Sequence, residues 1–245
     1  MADSSSLVAH VDSGKVTFEG LKAYAPPEAT PTWKPISHYE LVGVLKDKLA
    51  DRGYSVAREE YAVSKNGAKL FGIMDLQNEL VSGVGKSIGF RHANDKSMGL
   101  DIVAGGWVFV CDNMALCGKT TVVKHKHTWG LNIGFSIHKG LVTTDEQSKH
   151  FARGIERASG SSLTPEGAGS LLASMLYRGV ITHQVFQQAY ELYFQRALDS
   201  DEFPDCQPRT VWALHNAFTR VLKEASMGKR FRTTIDISKE LGIWN

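Results

Sequence analysis

Cysteine is scarce: Cys111, Cys117 and Cys206 are the only three in 245 residues, an odd number that leaves no fully paired disulfide framework. The opening MADSSSLVAH has no basic stretch followed by an apolar run, so a cleaved export signal is not expected. Together these point to a reducing cytoplasm rather than to secretion. Long apolar runs are missing too. The longest, Ile102 to Cys111 with Gly105 and Gly106 inside, falls well short of the ~20 residues a membrane helix needs, so no membrane partner is expected. Charge of one sign is also absent overall, since 28 Lys and Arg nearly balance 26 Asp and Glu. What remains is an ordinary globular composition, long enough to bury a core without disulfides or metal.

Four of the seven prolines, Pro26, Pro27, Pro31 and Pro35, fall in the first 35 residues, where apolar periodicity is weak. Residues 1–35 therefore read as an irregular or strand-like arm that packs late or not at all. A helix begins after Ser37, whose spacing to Glu40 forms a capping box, with Ile36 and Leu41 placed as a hydrophobic staple. Leu41, Val44, Leu45 and Leu49 make one face of it, and Gly53 ends it.

From Tyr54 the period changes to two. The run closes at Asn66-Gly67, a strong hairpin signal, with Ala68 to Leu76 as the returning strand. Lys86 to His92 and Met98 to Ala104 flank a polar turn at Asn94-Asp95-Lys96, Gly105-Gly106 breaks the next run, and Thr120 to Lys126 and Leu131 to Ile137 are rich in strand-forming residues. The expectation is α+β: an N-terminal helix and an antiparallel meander of about six strands over 36–142. A helical C-terminal region, 143–245, packs on the same domain. Its helices are signalled by Thr144 with Gln147, Thr164-Pro165, Thr182, and the amphipathic run Val211 to Ala225.

The balanced total hides an asymmetry. Between Asp112 and Asp145 no acidic residue occurs, while Lys119, Lys124, Lys126 and Lys139 add four positive charges. Such a stretch attracts polyanions through counterion release. Equally, it suits a solvated lysine edge that keeps sheets from aggregating. Trp107, Phe109 and Trp129 lie among these residues and could stack on unpaired bases, although Phe109 reads better as core. Lys229, Arg230 and Arg232 make a secondary basic patch with the character of a surface tail. Cys111, Cys117, His125 and His127 have the wrong spacing for a zinc site, and Gly118-Lys119-Thr120 lacks both the first glycine and the following helix of a phosphate loop. Neither a metal nor another cofactor is expected. No Gly-x-Ser-x-Gly nucleophile turn occurs, and no catalytic residue stands out.

The run Gly89-Phe90-Arg91-His92-Ala93-Asn94-Asp95-Lys96-Ser97-Met98, then Trp107-Val108-Phe109-Val110-Cys111-Asp112-Asn113, with Thr210 to Ala217 as a C-terminal helix, resembles a phage- and plasmid-encoded family. That family is the domain of unknown function numbered 932, and the resemblance covers roughly residues 37 to 225. The order of elements is also similar to that of single-strand annealing recombinases of the Redβ and Erf kind, an analogy of topology alone. The function expected is a non-enzymatic, oligomeric protein of a mobile element that binds single-stranded DNA in recombination or repair. Its binding residues would be Arg91, His92, Lys96, Lys119, Lys124, Lys126 and Lys139. The alternatives are a metal-dependent enzyme acting on nucleic acid through His92, Asp95 and Asp101 or the Cys/His set, and a structural or host-interaction protein.

Overall fold

The computed structural model describes residues 13–108, 114–123, 129–196, 209–225 and 227–244, with the backbone alone described along residues 114–123 and at the start of the last helix. The architecture is α+β. The strands are β1 (Ser13–Val16), β2 (Val56–Ser64), β3 (Lys69–Val81), β4 (Val84–Ala93), β5 (Leu100–Val108) and β6 (Met114–Val123). They form one antiparallel sheet in the order β1-β2-β3-β4-β5-β6. The helices are α1 (His38–Ala50), α2 (Ile133–Gly160), α3 (Pro165–Tyr177), α4 (His183–Tyr190), α5 (Val211–Val221) and α6 (Met227–Glu240), and α4 continues into a wider-wound turn over Glu191–Arg196.

Local signals set most boundaries. Ser37, Thr164, Thr182 and Thr210 cap α1, α3, α4 and α5, each accepting a hydrogen bond from the backbone N–H three residues on. Gly67 takes φ +71° in the β2–β3 turn, and Gly83 takes +77° in the tight β3–β4 turn that follows a β3 longer than expected.

Four expectations are corrected. From Ser13 onward the arm is not loose: β1 pairs with β2, and Leu21 and Trp33 are buried, so α1 is preceded by a strand and a short 3₁₀ turn over Glu19–Ala23. Leu131 to Ile137 is not a strand. Asn132 caps α2 there, and Ile137 and Leu141 bury one helical face against the sheet, so the sixth strand is β1 rather than this segment. Gly105-Gly106 does not interrupt β5, because a side chain at Gly106 would press on Val84 of the neighbouring strand. Thr144 is no cap; it lies in mid-helix, with its hydroxyl donating to the Gly140 carbonyl at 2.8 Å.

Helix α2, 28 residues and roughly 42 Å long, runs straight through residues 142 and 143. Its first half packs with α1 on one face of the sheet, against Met74, Ile88, Phe90, Leu100 and Ile102. Its second half, with Phe151 and Ile155, enters a helical core built by α3, α4, α5 and α6. On the opposite sheet face Ile235 of α6 covers Ala62, Ile73 and Val103.

Candidate nucleic-acid edge

The strand period of two sends Arg91 and His92 to opposite faces of β4. Arg91 Nε donates to Asp101 Oδ2 across the strand pair at 2.8 Å, on the face that also holds Val103 and Ile73. His92 is fully buried on the other, with its ring edge-on to that of His38 at 5.5 Å between centroids. Neither is a free cation at the surface.

The β4–β5 turn is built by its own side chains. Asp95 Oδ1 accepts from the Ser97 N–H at 2.9 Å, and Lys96 takes the left-handed conformation at φ 63°. Burial pushes the Asp95 carboxyl up, but its bonds from Ser97 and the charge of Lys69, 3.8 Å away, outweigh this and hold it below the usual carboxylate range. Asn94 does something no spacing foretells. Its Oδ1 accepts from the Ile36 N–H at 3.2 Å while its Nδ2 donates to the Ile36 carbonyl at 2.9 Å, so one amide replaces a strand partner for the arm.

Thus pinned, the arm makes a small bridge between Thr30 and Trp33. The Lys96 ammonium sits 4.7 Å from the centre of the Trp33 ring. On the outer side the Trp129 indole N–H donates to the Thr30 carbonyl at 3.0 Å, and Lys34 Nζ lies 5.6 Å from the centre of the Trp129 ring. Trp129 remains 60% exposed, and Phe135, in the first turn of α2, 66%. That turn carries no acidic residue, so the partly positive helix end is uncancelled beside Trp129.

The expected binding residues are therefore not one groove. Lys96 belongs to this edge. Lys139 is exposed on α2 rather than beside a strand, and Lys119 occupies a β6 position paired with Val103. Arg91 and Lys96 have separate partners in Asp101 and Trp33. Lys124 and Lys126 lie outside the described residues, as do Phe109, Cys111, His125 and His127. Lys229, Arg230 and Arg232 are part of α6 and not of a tail. Sequence reasoning missed Lys34; the only hint was a Trp-Lys pair between two prolines. No group of three or more His, Cys, Asp or Glu side chains is poised to hold a metal among the described residues. No described helix is long and apolar enough to cross a membrane.

An antiparallel sheet flanked by helices, with a pinned N-terminal arm and a turn built from the Arg91–Ser97 signature, defines the class of fold. The chain belongs to the family described as a domain of unknown function (DUF932), which it matches over residues 29–241. No curated protein and no solved structure matches it, so the analogy to annealing recombinases has no structural neighbour behind it.

Proposed function

We propose that the protein binds single-stranded nucleic acid, DNA in the first instance, without catalysis, along the edge formed by Lys34, Lys96, Trp129 and Phe135. One observation carries the reading: an indole left 60% exposed is held in place by its own N–H, with a lysine over its ring. A fixed π-face offers a base a stacking surface without a side chain to order, and base–aromatic stacking contributes ~1–3 kcal/mol per base in such sites. The lysines supply phosphate contacts that carry no sequence preference. In the sequence, Lys124 and Lys126 stand five and three residues before Trp129. A sequence-tolerant binder of this kind would suit recombination or repair on a mobile element, with several copies along a strand.

Fluorescence polarisation with a labelled oligothymidylate tests this. Trp129→Ala is expected to weaken binding about tenfold or more, and Lys34→Glu with Lys96→Glu to weaken all sequences alike. The wild-type affinity should fall steeply with salt. Absence of binding at low salt, or Trp129→Ala binding like the parent, refutes the reading.

A further inference from the structure

Trp129 is held against the arm at Thr30, and beside the Asn94 amide that fastens the arm lie two buried histidines that the binding reading does not use. His38 opens α1 and is 1% exposed; His92 is the penultimate residue of β4 and is fully buried. His38 Nε2 lies 2.9 Å from the Gly67 carbonyl, an acceptor only, so that nitrogen carries the proton. His92 Nε2 lies 3.3 Å from Asn94 Oδ1, the same oxygen that accepts from Ile36, so it too must be the donor. Both Nε2 atoms therefore carry a proton, and His38, whose burial favours the neutral ring, is the Nε2–H tautomer. A second proton on either has to go to Nδ1. On His38 that atom is buried with no hydrogen-bond partner among the described residues.

We propose that the His38–His92 pair is an acid-operated latch: protonation of either imidazole releases the arm, and with it the Trp129 edge. This rests on the edge being the binding surface, although the latch itself is a property of the arm. Three costs oppose a cation here. Burial favours the neutral ring and outweighs the opposing effect of the Gly67 carbonyl, which holds His38 below the ordinary histidine range. The site is the positive end of a 13-residue helix. A charge on one ring also repels a charge on the other across 5.5 Å.

The charged side chains in the surrounding turns are Lys65 and Lys69 of the β2–β3 turn and Asp95 and Lys96 of the β4–β5 turn. The single acid among them, Asp95, is engaged by Lys69 and Ser97. Tyr39 follows His38 on α1 but stacks on Phe18. The closed arm thus binds fewer protons than the open one. It is favoured above the open-state histidine value of about 6.5, and each proton taken up on opening shifts the equilibrium toward open by about tenfold per pH unit below it.

The test measures amide hydrogen exchange of residues 29–38 in the full chain at pH 7.5, 6.5 and 5.5, corrected for the intrinsic pH dependence, with α5 amides as the control for global opening. Oligothymidylate affinity is followed in parallel. Opening of the arm is expected to rise about fivefold from pH 6.5 to 5.5 for one proton taken up, and about thirtyfold for two, while α5 stays protected relative to it. Affinity should fall, against the generic trend by which added positive charge strengthens DNA binding. His38→Gln, whose amide can still donate to Gly67 but does not titrate, should flatten the response; His92→Gln serves if that variant does not fold. An arm whose protection is flat with pH, or an equally steep response in both variants, overturns the latch. Acid opening with unchanged affinity overturns its link to binding. Failure of oligothymidylate to bind at any pH refutes the proposed function and leaves the exchange result to judge the latch by itself.

Discussion

Asp145 ties α2 to the sheet and to the end of α1, and its removal should be among the costliest single changes in the chain. Its carboxylate accepts from Arg52, from Lys86, and from the Tyr54 hydroxyl at 2.8 Å; Lys86 also donates to Tyr54 Oη at 2.8 Å. The Lys86 side chain is only 7% exposed. Asp145→Asn keeps the shape but leaves that ammonium buried without a counter-charge, whereas Arg52 is exposed enough to turn toward water. Breaking a buried pair from one side costs roughly 3–5 kcal/mol, which for a chain of this size lowers Tm by on the order of 10 °C.

The pH dependence gives the sign. Burial pushes the Asp145 carboxyl up, but the bonds from Lys86, Arg52 and Tyr54 win and hold it below the ordinary value. Its contribution is therefore present above about pH 4 and lost as pH falls further. Calorimetry at pH 7 should show the deficit, and along the acid limb the gap between wild type and variant should close. Asp145→Leu combined with Lys86→Met should recover much of the loss, because two apolar groups leave no orphaned charge. A deficit under about 0.5 kcal/mol at pH 7, the range of ordinary surface changes, or one that does not change with pH, would refute the reasoning.

Gly154→Ala should destabilise the protein by several kcal/mol, on the order of an overpacked core, because a Cβ there would run into the Ile243 carbonyl and push the C-terminal segment off α2; urea denaturation with Trp244 fluorescence checks it. His215, fully buried with Nε2 3.0 Å from Ser238 Oγ, has its pKa pushed down to about 3 by burial. The unfolded chain takes up that proton first, so global stability should begin to fall below about pH 6.5, by about 1.4 kcal/mol per pH unit. His215→Asn should remove that part of the slope in acid titrations of the unfolding free energy.

Features that depend on a few neighbouring residues were legible in the chain alone. The caps at Ser37, Thr164 and Thr182, the Asn66-Gly67 turn and the Asn94–Ser97 turn all stand where spacing predicted them, because a cap or turn is satisfied by backbone groups three or four positions away. Leu131 to Ile137 could not be assigned that way, since a short apolar run suits a strand or a buried helix equally; the sheet face that Ile137 and Leu141 fill decided it. The arm looked loose because its prolines forbid regular pairing, yet Asn94, 58 residues from Ile36, supplies the missing partner. Of the lysines that share a stretch of sequence, Lys119 went to a strand and Lys139 to a helix, while Lys34 came to Trp129 across nearly a hundred residues. Charge can be counted in a sequence, but its direction is set by which face of which element each side chain leaves. That choice belongs to burial across the whole fold.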